Sequence, residues 1–280
     1  MKTGIIIPCY NEAKRLNINT FISFVKSHDD YILCFVNDGS KDNTLKVLQD
    51  IQDEFPTSVI IIDVKKNKGK ASAVRVGARY LFNRKDVDYI GFIDADLSTN
   101  FNDFKRLVKT LHTNNELSFV YGSRGNGKRN GKGQIDRDFF RKLFSKIVKF
   151  LVFLILGLPI EDTQCGAKVF RRNIVPVAYD NVFLTRWLFD VEIFIRLKKY
   201  FGSKDIMNRI YEQPLNRWVH VDDSKLGMKD AILIPYKLIN IWFSYTLKQY
   251  FNSKPQTHKI ITIDDFTIIS SLNPSEPVAA

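Results

Sequence analysis

The chain has 280 residues, of which 45% are hydrophobic and 26% charged, the balance of a soluble globular protein with ample residues for one large core. Three scattered cysteines (Cys9, Cys34, Cys165) exclude a disulfide framework or a zinc site and read as reduced thiols of a cytosolic compartment. The formal net charge of +12 favours an anionic partner: nucleic acid, a phosphorylated substrate or an anionic membrane face.

The first half alternates strands with helices. Short apolar runs predict strands at 4–10 ("GIIIPCY"), 31–38, 58–64, 88–96 ("DYIGFIDAD") and 117–124. Helical spacing falls between them, at 19–27, 40–55, 70–82 and 100–112. This order implies a mostly parallel sheet flanked by helices, with strands buried on both faces. The second half is less regular. A Gly/Lys-rich loop at 125–133 precedes a helix at 136–157 that becomes wholly apolar. An amphipathic helix follows at 188–201, then an apolar-aromatic helix at 231–251, expected to bend near Pro235. The closing "NPSEPVAA" reads as disordered. The N-terminus turns polar after a handful of apolar residues and does not read as a signal peptide. The longest apolar run, 150–160, falls short of the roughly 20 residues a spanning helix needs.

In open sheets of this kind ligands bind beyond the carboxyl ends of the strands. Most conspicuous polar residues of the first half sit there: Pro8 to Glu12, Asn37 to Ser40, Lys65 to Lys70, Asp94 to Ser98 and Gly122 to Arg124. Asp94 and Asp96, two apart on a strand, are expected to share a face, with Ala95 turned away. Side-by-side carboxylates repel unless a cation joins them. A hard divalent ion that also takes phosphate oxygens fits such a pair; the alternative is a pair of solvated acids opening a loop. Glu12 and Asp38 can accept hydrogen bonds from a base or ribose. Asp38, in "NDGS", equally suits a turn. "KKNKGKASA" (65–73) sets lysines and a glycine before a helix, as suits phosphate. With no P-loop spacing and no GxGxxG after the first strand, P-loop NTPases and dinucleotide enzymes are set aside.

Taken in order, "IIIPCYNEAKRL", "VNDGSKDNT", "NKGKASAVRVG", "IDADLST" and "YGSR" resemble the family 2 glycosyltransferases with the GT-A fold. "DTQCGAKVF" (162–170), "RWLFDVEIF" (186–194) and "WVHVDDSKL" (218–226) are similar to the dolichyl-phosphate β-glucosyltransferases, and the likeness runs over about 4–250. It implies a single glycosyltransferase domain over 1–252, with a nucleotide-sugar half (1–124), an acceptor half (125–252) carrying interfacial helices, and a tail at 253–280. It also implies inverting transfer of a hexose, glucose from UDP-glucose, onto a polyprenyl or dolichyl phosphate. The resemblance puts Pro8, Tyr10, Glu12 and Asp38 on the nucleoside. Asp94, Ala95 and Asp96, with Ser98 nearby, would take diphosphate and Mg²⁺ or Mn²⁺. Lys70 and Arg75 would serve diphosphate binding or helix packing. Arg124, Arg137 and Arg141 would face the acceptor phosphate, with Asp162, Gln164, Cys165, Arg186, Trp187 and Asp190 on the acceptor side, and Trp218, Ser224 and Lys225 in the last motif. The chain departs from the family pattern at Asn37, which replaces a first aspartate, at Ala71-Ser72, which replace glycines, and at Asp222-Asp223, which replace a Glu-Gly pair.

A lipid phosphate is mostly ionised near pH 7 and needs no strong base. A hydroxyl acceptor would need one, and Asp162 is then the candidate; its other reading is a turn cap after Pro159. The alternatives are a family 2 enzyme acting on a polysaccharide or glycolipid, a GDP-mannose-dependent polyprenyl-phosphate mannosyltransferase, and a non-enzymatic nucleic-acid-binding protein, against which the absence of any nucleic-acid motif counts. The apolar helices at 143–158 and 234–251 predict a peripheral protein on the cytoplasmic face of a membrane, with Ile241 and Trp242 facing lipid. They read alternatively as core or a dimer interface.

Overall fold

A computed structural model describes residues 1–124, 148–218, 233–246 and 266–269. Its frame is an eight-stranded sheet in the order β7-β5-β6-β4-β1-β2-β3-β8. The first half supplies β1 (Thr3–Cys9), β2 (Tyr31–Asp38), β3 (Val59–Val64) and β4 (Tyr89–Ile93), joined by helices α1 (Ile18–Ser27), α2 (Thr44–Glu54) and α3 (Lys70–Asn83), with α4 (Phe101–Thr113) after β4. The ladders β1–β2, β1–β4 and β2–β3 are parallel. Parallel strands need helical crossovers on both faces, so every residue of β2 and β4 is buried.

The pleat splits the core in two. Ile6, Cys34, Val36, Ile60 and Ile62 pack on one side with α3, and Ile5, Ile7, Leu33, Phe35 and Ile61 on the other with residues of α1, α2 and α4. The small residues of α3 have a steric reason: a Cβ on Gly77 would lie 2.6 Å from the Ile6 side chain.

The second half changes direction. β5 (Phe119–Ser123) and β7 (Ile210–Pro214) pair in parallel, while β6 (Ala167–Arg171) is inserted between β4 and β5, antiparallel to both. Helix α5 (148–156), short α6 (Val175–Tyr179), α7 (Phe189–Phe201), the turn-length α8 (Ile206–Arg209) and α9 (Ile234–Thr246) complete the described chain. β8 (Phe266–Ile269) lies antiparallel along β3 and closes that edge.

Three strands are not evident from periodicity. Lys168 interrupts the apolar pattern of β6, β7 (IYEQP) is mostly polar with no apolar run, and β8 lies in the stretch read as a tail. Pro235 falls in the first turn of α9, where its missing N–H has no intrahelical partner to lose, and the residues from 219 to 232 that precede it lie outside the described ones. Ile241, expected to face lipid, is fully buried in the core beside Leu238, whereas Trp242 is 43% exposed. The helix read over 136–157 is described only from 148, and the glycine- and lysine-rich loop lies outside the described residues.

Candidate active site

The carboxyl ends of β1 to β4 form one rim. Asp38, at the end of β2, is buried, and both its oxygens are engaged: Oδ1 accepts the Lys68 N–H at 2.9 Å and Oδ2 the Gly69 N–H at 2.7 Å. Burial raises its pKa, against the pull of these N–H groups and of Arg186. Asp38 thus staples the loop that leads into α3, and the turn reading of "NDGS" is realised together with a place on the rim. Gly39 follows with φ +65°, and a Cβ there would collide with the backbone of Lys66 and Asn67. At the end of β1, Asn11 N–H donates to Ser40 Oγ and Glu12 N–H to Thr44 Oγ1 at 2.8 Å, which clamps the first strand's loop onto the second's. Pro8 and Tyr10 stay half-buried on this rim, and Glu12 is buried.

Asp94 and Asp96 come together differently from the strand-face expectation. β4 stops at Ile93, and the next four residues make a tight turn in which Leu97 N–H donates to the Asp94 carbonyl at 3.0 Å and Leu97 takes φ +51°. Asp96 Oδ1 accepts the Ser98 N–H at 2.9 Å, and Ala95 is buried beneath. Asp94 Oδ1 pairs with Lys70 Nζ at 2.5 Å. On its other side the Asp94 carboxylate occupies the space a Cβ would take on Gly166. Burial works against the charge of Lys70, but Asp94 and Asp190 outweigh it and its pKa is raised. Two carboxylates on one turn suit a hard divalent cation. Among the described residues no cluster of three or more His, Cys, Asp or Glu suits a metal.

Arg75 stands apart. Its guanidinium is buried and donates to the carbonyls of Tyr179 (2.9 Å) and Asp180, which bolts α3 to α6. Burial lowers its pKa to about 10. Of its two expected roles, diphosphate binding or helix packing, this geometry is that of packing.

Arg124, just past β5, forms a bidentate pair with Asp162: Nε to Oδ2 and Nη2 to Oδ1, both 2.7 Å, with the Arg124 N–H also on Oδ2. Burial opposes the charge of both partners, yet each outweighs it in the other, so Asp162 falls below the usual carboxylate range and Arg124 rises, with Asp94 adding to the rise. Glu212 Oε1 and Oε2 accept the N–H groups of Asp162 and Glu161, and the Tyr121 hydroxyl donates to Oε2. The Trp218 ring lies 5.7 Å from the Arg124 guanidinium. Gln164 N–H donates to Asp162 Oδ1, so Asp162 also caps its own turn. Cys165 is buried, which pushes its thiol up to about 11. Arg186 packs against the loop that Asp38 staples: its stem lies on Gly69 and its carbonyl accepts the Ala71 N–H at 3.1 Å. Trp187 is half-buried beside it. Arg137, Arg141, Ser224 and Lys225 lie outside the described residues.

Three groups carry this site without having been singled out from sequence: Glu212, Gly166 and Lys168. Lys168 is fully buried, with Nζ 2.8 Å from Asp190 Oδ1 and 2.6 Å from the Cys165 carbonyl. A lysine inside an apolar strand is the signal that could have drawn attention to it. Behind Arg186, Glu192 is fully buried and accepts the N–H groups of Leu184 and Thr185 and the Tyr245 hydroxyl, tying the loop before Arg186 to α9.

A sheet of this order, flanked by helices and with two carboxylates on the turn after β4, is the architecture of the GT-A glycosyltransferases. Glucosyl-3-phosphoglycerate synthase from Mycobacterium tuberculosis, solved with Mn²⁺, UDP and phosphoglyceric acid, shares this fold with a TM-score of 0.62 at 15% identity, over 87% of this chain and 78% of that one. The chain belongs to glycosyl transferase family 2, whose profile matches residues 4–176, and it is a glycosyltransferase. It is similar to the dolichyl-phosphate β-glucosyltransferase of Dictyostelium discoideum, 32% identical over 87% of this chain and 75% of that protein. The human enzyme of the same name is 31% identical over 80% of this chain and 69% of its own.

Proposed function

We propose that the protein transfers glucose from UDP-glucose to a dolichyl or related polyprenyl phosphate, inverting the anomeric carbon. Its similarity to enzymes named for that reaction supports the sugar and the acceptor. The observation that carries the reading is the Arg124–Asp162 pair beside Asp94. The charge of Asp94 is felt at the Arg124 guanidinium, and Asp162 is engaged by that arginine; this supports an acceptor that arrives already ionised.

On this reading Pro8, Tyr10, Glu12 and the loop stapled by Asp38 hold the nucleoside. Asp94 and Asp96 hold Mg²⁺ or Mn²⁺ together with the diphosphate, and Lys70 approaches the same oxygens from the N-terminus of α3. When bound, the ion offsets the charge growing on the departing diphosphate. Arg124 and Gln164, with Arg137, Arg141 and Lys225, orient the acceptor phosphate for in-line attack. Arg186 and Trp187 border both ligands. The solved neighbours bind UDP, UDP-glucose, Mn²⁺ or Mg²⁺, which agrees with this donor.

The membrane part of the reading rests on α5 and α9. Phe150, Phe153 and Leu154 on one and Tyr236, Ile239, Trp242 and Phe243 on the other are exposed. No helix among the described residues is long and apolar enough to cross a membrane. Such faces suit the headgroup region of the cytoplasmic leaflet, toward which the net charge would draw the protein.

The deciding experiment is a panel of nucleotide sugars with a short polyprenyl phosphate, products identified by mass. Glucosyl phosphopolyprenol from UDP-glucose is expected. Mannosyl product from GDP-mannose, or transfer to a hydroxyl acceptor but not to the lipid phosphate, overturns the assignment.

A further inference from the structure

The buried pair Lys168–Asp190 has no obvious energetic reason to exist. Taking two charges out of water is costly, and a pair of well-packed apolar residues often does as well or better. Its value must lie in what it holds. β6 runs opposite to β4 and β5, and Lys168 stands across from Phe92 on one and Tyr121 on the other. Its ammonium turns back along its own chain to the Cys165 carbonyl at 2.6 Å, while Asp190 in the first turn of α7 supplies the counter-charge at 2.8 Å.

The carbonyl so fixed belongs to the peptide that enters Gly166, and Gly166 is the surface against which the Asp94 carboxylate rests. Four residues before Gly166 lies Asp162, which grips Arg124. The segment from Asp162 to Gly166 therefore spans the donor carboxylate and the acceptor arginine, and Lys168 pins one end of it. Lys70, which pairs with Asp94, lies 5.6 Å from the same Phe92 ring that Lys168 approaches at 5.2 Å.

We propose that Lys168, with Asp190, is a positioning residue for Asp94, acting through the Cys165 carbonyl and the bare backbone of Gly166. The inference rests on the assignment of Asp94 to a metal-bound nucleotide diphosphate. Lys168 itself touches neither ligand. It fixes the wall that decides where the carboxylate stands, in the way residues behind a metal ligand set its affinity.

The test compares Lys168→Met/Asp190→Asn, which removes both charges and leaves no lone buried ion, with Gly166→Ala, which leaves the pair intact and crowds Asp94 directly. UDP binding is measured by calorimetry with and without Mn²⁺, alongside thermal melts and Asp94→Asn as reference. Both variants should lose about tenfold or more in Mn²⁺-dependent UDP affinity, the usual effect of disturbing a metal ligand's support. UDP binding without Mn²⁺ should change little, whatever happens to the melting temperature. A purely structural pair would shift the melt alone. Folded variants with wild-type Mn²⁺-dependent affinity overturn the positioning role if Asp94→Asn has lost that affinity. If Asp94→Asn also binds normally, the donor-site assignment itself fails, and this inference with it.

Discussion

The two sides of the sheet bring their polar groups to a common edge by different routes. On the β1–β4 side every strand runs the same way, so each strand end delivers its loop directly to the rim: Glu12, Asp38, Lys70 and Asp94 all follow an apolar run or the loop after one. Much of their support comes from that same rim, such as the Lys68 and Gly69 amides on Asp38 and Lys70 on Asp94. On the β5–β7 side, β6, which lies between β5 and β4, is reversed. Its beginning, not its end, reaches the rim, and its groups are held by residues far away in sequence: Arg124 by Asp162, 38 positions on, and the Asp162 amide by Glu212, 50 positions further. A parallel half can be read one strand at a time, whereas a mixed half cannot, because reversing one strand exchanges which of its ends is functional.

That contrast can be broken most severely on the parallel side. Asp96→Asn should reduce transfer by about a thousandfold, the scale of several kcal/mol of lost charge stabilisation, and Asp94→Asn should cripple it less completely. EDTA should mimic both changes in the wild type, reversibly on adding Mn²⁺ or Mg²⁺. Full turnover in EDTA refutes the role given to the pair.

On the mixed side, Arg124→Ala should lower kcat/KM for the acceptor by roughly ten- to a hundredfold, the worth of hydrogen bonds to a charged group. UDP binding measured calorimetrically should hardly move. Collapse of donor affinity would mean that the two sides are not separate.

Asp162→Asn should cost less, about tenfold by the same scale, and its pH behaviour is the sharper readout. If the acceptor phosphate is the nucleophile, the rate rises through its second pKa near 6, and that limb survives in the variant. A limb that vanishes with the carboxylate makes Asp162 the base instead. Stability gives an independent sign. Arg124 holds the Asp162 pKa below its ordinary value, outweighing burial. The stabilisation is then fully present above about pH 4 and fades as pH falls through the lowered folded value. Thermal melts between neutral and acid pH should show this loss in the wild type and not in the variant.

The smallest catalytic effect is expected of Arg75→Met. It should lower the melting temperature, since buried carbonyls lose a donor, and leave the donor KM unchanged; a raised donor KM would return Arg75 to the site. Trp242→Ser/Phe243→Ser should weaken flotation with anionic liposomes while nucleotide binding stays intact. Failure of the wild type to float at low salt would make those faces core or interface.

The chain by itself determined the parallel half and the polar rim at its end. Unbroken apolar runs such as "YIGFI" admit few structures but buried strands, and a loop must follow each of them. The ordered motifs likewise carried the family. Periodicity left β6 undecided, as it did β7 and β8, since a strand with a charged residue inside has no apolar signature until its counter-ion is known. Asp190 supplies that partner from α7, 22 residues later in sequence. The turn that presents Asp94 and Asp96, the packing role of Arg75 and the burial of Ile241 beside an exposed Trp242 were decided by tertiary structure alone. Each depends on which surface lies opposite, and a single sequence specifies its own pattern but not its neighbours.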